Sequence, residues 1–253
     1  MSWRVLGASA VGTAHAAAGR PCEDSCWAQV GRCGAGRPYL TLFVADGAGS
    51  AAKGGEAAEL AIEAAVAFFE NHLAQAEFSL TEELAASCVV YMRERIFAQA
   101  QAQGRAARDF ACAFLGVVSH ACGTLVLQIG DGGIAVDVGA GLEVSFLPRA
   151  GEYASGTSSL ADEDALGQLV AKAYPGPAAR VAVFSDGLQG LALNLGSNMV
   201  YEPFFAPFFT ILAAATLDQE DELNATLHRF LQSPAVNKRT EDDKTLTLAV
   251  FTG

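Results

Sequence analysis

Leu40-Thr41-Leu42-Phe43-Val44-Ala45 is a short apolar run that ends at Asp46-Gly47. Its length and its apolar content read as a buried strand. An ionised carboxylate at the end of such a strand is costly unless it is paired, hydrogen-bonded or bound to a metal. Arg180-Val181-Ala182-Val183-Phe184 has the same form and runs into Ser185-Asp186-Gly187. Cys22-Glu23-Asp24-Ser25 and Glu241-Asp242-Asp243-Lys244-Thr245 also sit beside apolar or β-branched residues. Four acidic motifs so placed predict carboxylates from distant strands converging on one place. A divalent cation held by oxygen ligands is the simplest reason for such convergence.

Outward from the first strand, the pattern turns helical. Residues 54–77 place Ala58, Ala61, Ile62, Ala65, Val66 and Phe69 on one face. Residues 80–103 form a second expected helix, opening with Thr81-Glu82-Glu83 and ending near Gly104. Upstream, residues 3–12 and 25–31 read as strands. Downstream, period two returns over 110–118, 124–129, 134–138 and 142–147. The stretch 148–179 is loop-rich, with a helix expected at 162–173. After the strand at 180–184, helices are expected at 201–216 and 218–232, and a last strand at 245–251. Strands and helices are segregated, so the expected class is α+β and not a doubly wound parallel sheet. Two central antiparallel sheets flanked by helices, a four-layer α-β-β-α sandwich, bury this much apolar surface. One domain is expected over 1–253.

The net charge is −12. With no basic stripe, this excludes a nucleic-acid partner and docking on an anionic membrane. A hydrophobic content of 51% excludes disorder. The longest apolar stretch, Phe204 to Leu217, contains Pro207 and is too short to span a bilayer. No signal peptide is read at the N-terminus, and a soluble, cytoplasmic protein is expected. The 6 cysteines are expected to be reduced, and their spacing fits no common zinc pattern.

Each motif has an ordinary alternative. Asp46-Gly47 alone is a common strand-end turn. Gly130-Asp131-Gly132-Gly133 alone is a good hairpin turn. Asp242-Asp243 reads either as a solvated acidic turn or as a pair with Asp243 facing a metal and Asp242 facing solvent. Neighbours in an extended chain point oppositely, so one of the two is the expected ligand. Glu23-Asp24 raises the same question. His72 and His228 fall on expected helices as surface residues, whereas His15 lies near the first acidic motif as a candidate acid. No Gly-x-Ser-x-Gly elbow occurs, and no Cys–His pair marks a thiol nucleophile.

The motifs, in order, resemble the type 2C metal-dependent protein phosphatases. The family pattern is an early Arg followed by Glu-Asp, then strand-Asp-Gly, Gly-Asp, Ser-Asp-Gly and a final Asp before the last strand. Here these are Arg20 with Glu23-Asp24, Asp46-Gly47, Gly130-Asp131, Ser185-Asp186-Gly187 and Asp243. The resemblance covers nearly the whole chain and looks most like a bacterial single-domain branch. It implies two Mn²⁺ or Mg²⁺ ions, with Asp46 bridging them and the Gly47 carbonyl binding one. Asp186 and Asp243 hold the other. Glu23 and Asp24 act through metal-bound waters, and Asp131 joins Asp186 in a weaker third site. Hydroxide bridging cations about 4 Å apart attacks phosphorus in line. Arg20 is the expected phosphate clamp.

Several positions depart from the pattern. Arg20 stands three residues before Glu23 instead of four. Ala48 replaces the His of Asp-Gly-His-Gly, which leaves water or His15 to assist the leaving group. Lys244 replaces the common Asn after the last Asp. The segment 148–179 matches the family's variable flap, where Tyr153, Thr157 and Asp162-Glu163-Asp164 are candidates for substrate selection. The implied substrate is a phosphoserine or phosphothreonine protein, opposed by a serine/threonine kinase. The competing reading is a catalytically silent binding or regulatory module. Retention of Asp46, Asp186 and Asp243 speaks against it.

Overall fold

The run around Leu40 is an interior strand of one of two five-stranded antiparallel sheets in the computed structural model, which describes residues 2–145, 158–194, 196–197 and 199–252. That sheet has the order β2 (Asp24–Arg32), β3 (Pro38–Gly47), β4 (Cys112–His120), β5 (Gly123–Ile129) and β8 (Val170–Tyr174). The second sheet has the order β1 (Ser2–Ala10), β12 (Lys244–Thr252), β9 (Arg180–Phe184), β6 (Gly133–Asp137) and β7 (Glu143–Val144). A small pair, β10 (Leu193–Asn194) and β11 (Met199–Val200), stands apart.

Alternation along β3 explains the layering. Leu40, Leu42 and Val44 enter the core between the sheets, with Leu115, Val117, Ile134, Val181 and Val183. Phe43 and Ala45 point the other way, onto the helices α2 (Gly54–Leu73) and α3 (Glu82–Ala102). Phe43 stacks on Phe69 of α2 at 5.7 Å between ring centroids. A strand buried on both faces has no polar alternation, which is why the run reads as continuously apolar. On the outer face of the second sheet, Ala182, Phe184, Leu246 and Leu248 pack with Phe205 and Phe209 of α5 (Glu202–Ala214) and Leu227 of α6 (Glu220–Leu231). The short helices α1 (Thr13–Ala17), α4 (Gln189–Ala192) and α7 (Pro234–Asn237) lie in connections. The four-layer α+β sandwich expected from the sequence is the observed fold.

Three expectations change. The helix expected at 162–173 is instead a run of turns followed by β8, which pairs antiparallel with β5 from Thr124↔Tyr174 to Gln128↔Val170. Its alanines and leucines suit a helix, but an open sheet edge offers them backbone partners. Over 142–147, only Glu143–Val144 is a strand among the described residues. Gly130-Asp131-Gly132 is not a hairpin turn. It carries the chain from β5 in one sheet to β6 in the other. Gly132 has φ +105, and a Cβ there would lie 2.6 Å from the Phe184 carbonyl oxygen. Tyr153 and Thr157 lie outside the described residues. Among the described residues, no helix is long and apolar enough to cross a membrane.

The topology gathers the acidic motifs at one end of the sandwich. β12 runs antiparallel to both β1 and β9, so its start lies beside their ends. The ladder of β2 with β3 opens at the pair Asp24↔Asp46. The 130–132 crossover turns at the same end.

Candidate metal centre

Asp46 closes β3 and is packed among carboxylates. Burial pushes its pKa strongly upward, and the charges of Asp24, Asp186 and Asp242 add to the shift. The neighbouring Asp186 carboxyl, which stands just after β9, also holds Asp46 up. Asp186 is also raised, first by burial and then by Asp131 and Asp242, against the opposing N–H of Gly187. Like charges this close cannot all be ionised without a cation.

Asp24 is held by two hydroxyls from the other sheet. Its Oδ2 accepts from Ser185 Oγ at 2.8 Å and from Thr245 Oγ1 at 2.7 Å. Ser185 Oγ in turn accepts from the Thr245 N–H at 3.0 Å, which ties β9 to β12. Burial still pushes Asp24 up to about 7, despite these two donors. Asp24 Oδ1 and Asp186 Oδ1 are buried and have no hydrogen-bond partner in the protein. Orphaned carboxylate oxygens of this kind call for water or a cation.

The backbone is close-packed around the motifs. A Cβ on Gly47 would come within 2.4 Å of the Gly54 carbonyl carbon. A Cβ on Gly187 would lie 2.0 Å from the Asp243 carbonyl oxygen. These glycines let β3, α2, β9 and the start of β12 meet with their main chains in contact.

Asp243, expected to hold a cation, has both carboxylate oxygens in hydrogen bonds with the protein. It is 3% exposed, and its carboxylate is taken by protein donors. Oδ1 accepts from the Gly12 N–H at 2.6 Å, and Oδ2 accepts from the Glu23 N–H at 2.6 Å and from His15 Nδ1 at 2.9 Å. Asp242 is the exposed member of the pair, and its charge acts on Asp46 and Asp186. The expected orientation is met in burial, with Asp243 inward and Asp242 outward.

The remaining expected residues sit around this cluster. Arg20 donates through Nη2 to Glu23 Oε2 at 2.7 Å, so the expected clamp is an ion pair with its neighbour. Asp131 lies in the crossover, close enough for its charge to raise Asp186. Lys244 is fully buried, and its Nζ donates to Asn237 Oδ1 at 2.7 Å. Ser185 and Thr245 were given no role from the sequence, and Asp242 was read as facing solvent. The Ser before Asp186 and the Thr opening the last strand were visible, but their hydroxyls needed the sheet-to-sheet geometry to acquire a role.

Among the described residues, no group of three His, Cys, Asp or Glu side chains closes around a single point. The donor set still fits hard cations such as Mg²⁺, which keep several waters and take one or two carboxylates from the protein. The two orphaned oxygens beside the crowded Asp46 carboxyl mark where such ions fit.

A family model described as protein phosphatase 2C matches residues 11–232. The chain belongs to this family and is a serine/threonine phosphatase of that type. It is 50% identical, over 99% of both chains, to serine/threonine-protein phosphatase 3 of Escherichia coli (strain K12). The fold is similar to the catalytic domain of the serine/threonine protein phosphatase PstP solved with 2 manganese ions, at TM-score 0.66 and 18% identity over 99% of both chains. It is also similar to the S. agalactiae serine/threonine phosphatase, at TM-score 0.59 and 17% identity over 98% of this chain and 99% of that one.

Proposed function

We propose that this chain hydrolyses phosphoserine and phosphothreonine in proteins with the help of two Mn²⁺ or Mg²⁺ ions. The observation that carries the reading is the buried convergence of Asp24, Asp46 and Asp186, with two carboxylate oxygens left without a partner. Asp46, the Gly47 carbonyl, Asp186 and Asp242 would hold the pair, and Asp131 with Asp186 a weaker third ion. When bound, such cations acidify water near neutral pH and offset charge on the phosphoryl oxygens.

The protein groups have separate tasks. Ser185 and Thr245 hold Asp24 Oδ2, so that Oδ1 faces the site with a fixed orientation. Glu23 holds one edge of Arg20, leaving the other guanidinium N–H groups for phosphoryl oxygens. His15 is fixed by Asp243 through Nδ1, which leaves Nε2 to exchange a proton with the leaving serine or threonine oxygen. The partners are a phosphoprotein and a kinase that opposes this activity, and 1–253 works as one catalytic domain. Relatedness to Escherichia coli serine/threonine-protein phosphatase 3 supports the substrate class.

The test is hydrolysis of a phosphothreonine peptide by the purified protein with Mn²⁺, with EDTA, and with Asp46→Asn. The reading requires turnover with Mn²⁺ and none in the other two. A folded, Mn²⁺-loaded protein that turns over neither peptide nor p-nitrophenyl phosphate would instead be a silent binding module.

A further inference from the structure

A carboxylate offers about four lone-pair directions for donors. Asp243 accepts from three donors: the N–H groups of Gly12 and Glu23, and His15 Nδ1. Both of its oxygens are engaged by the protein, Oδ1 once and Oδ2 twice. All three donors come from one stretch, residues 11–23, between the end of β1 and the start of β2. Apart from the five residues of α1, that stretch has no regular structure. It carries both Arg20 and Glu23.

The backbone of this stretch is fitted to the same place. A Cβ on Gly12 would lie 2.4 Å from the Asp242 carbonyl carbon and 2.5 Å from the Glu241 oxygen. The Ala14 N–H donates to the Glu241 carbonyl at 3.0 Å. The connection thus lies against residues 241–243, and one buried carboxylate gathers its polar groups.

We infer that Asp243 is a positioning residue: it folds the 11–23 connection onto the start of β12 and so sets where Arg20 and Glu23 stand, and it is not a cation ligand. The inference deepens the reading under Proposed function and rests on it for the task of Arg20. The hydrogen bonds themselves need no cation. Asn at this position keeps one acceptor oxygen and turns an NH₂ group toward N–H donors, so it opposes the fold of the connection.

Asp243→Asn and Asp242→Asn separate the two roles in the full chain. Amide hydrogen exchange is read without metal, Mn²⁺ affinity by calorimetry, and kcat and KM on a phosphothreonine peptide. In Asp243→Asn, the Gly12 and Glu23 amides should exchange roughly tenfold faster, as loss of a charge-assisted hydrogen bond implies. KM should rise by a similar factor, more than kcat falls, while Mn²⁺ affinity stays within about threefold of wild type. Asp242→Asn should do the reverse, leaving the two amides protected and weakening Mn²⁺ binding by roughly tenfold or more.

Equal loss of Mn²⁺ affinity in both variants overturns the inference, as does unchanged exchange at Gly12 and Glu23 in Asp243→Asn. If that variant does not fold, His15→Ala removes one of the three donors and leaves the carboxylate. It should raise exchange at the same amides and KM without changing Mn²⁺ affinity, and no change in exchange overturns the inference. A wild-type protein that binds no Mn²⁺ refutes the cation reading of the site, while the exchange result still decides the role of Asp243.

Discussion

Asp24 and Asp46 are cross-strand partners at the open end of the β2–β3 ladder. Like charges directly opposite each other weaken a sheet. Here both carboxyls are also buried, and both are shifted upward by that burial. The arrangement is unfavourable for the protein alone and favourable for the protein with cations.

The first prediction concerns pH. Burial holds Asp186 at about 6 and Asp24 at about 7 in the folded, cation-free protein. In the unfolded chain both titrate at about 4. These are acids raised on folding, so their contribution to stability is fully present below pH 4 and is lost as pH rises through 6 to 7. The Tm of chelated protein should fall between pH 5 and pH 8, in that window. Mn²⁺ should raise Tm more at pH 8 than at pH 5, since it no longer competes with protons. Differential scanning fluorimetry with EDTA or Mn²⁺ measures both slopes.

Asp46→Asn removes the carboxyl with the largest upward shift in the cluster. The cation-free variant should be more stable than wild type at pH 8, because the raised Asp46 carboxyl must take up a proton on folding and Asn need not. It should gain little from Mn²⁺ and lose its activity. Urea unfolding with and without the metal separates the two effects.

Gly187→Ala places a Cβ 2.0 Å from the Asp243 carbonyl oxygen. Backbone cannot yield there without moving Asp186 and Asp243 apart. The expected cost is about 3 kcal/mol, at the upper end for overpacking. Peptide turnover should fall with it. Gly190→Ala is the control, because a Cβ there meets nothing within 4 Å.

Arg20→Lys keeps the charge but loses the planar fork that can hold Glu23 and a phosphoryl group together. KM for the peptide should rise roughly tenfold with a smaller change in kcat. Steady-state kinetics at saturating Mn²⁺ check this, and unchanged KM would remove Arg20 from substrate binding.

The strands that carry Asp46 and Asp186 were legible because each is apolar on both faces, and a carboxylate after such a run needs a partner. The two long helices were legible from apolar spacing alone. The segment 162–173 was not. Ala165, Leu169 and Ala171 suit a helix, and only the free edge of β5 makes β8 a strand. The order Asp242-Asp243 shows a different limit. Alternation says that two neighbours face opposite ways, but it does not say whether the buried one is satisfied by metal or by N–H groups. The N–H groups that Asp243 meets come from Gly12, His15 and Glu23, at the opposite end of the chain. Ser185 and Thr245 were missed for the same reason, since their hydroxyls meet Asp24 only once two sheets are stacked.

The most direct test is a crystal of the protein grown with Mn²⁺ and measured at the manganese absorption edge. The account predicts anomalous density between Asp46, Asp186 and Asp242, with Asp243 still bonded to Gly12 and Glu23. Density absent from these carboxylates at saturating Mn²⁺, or an ion coordinated by Asp243, would contradict it.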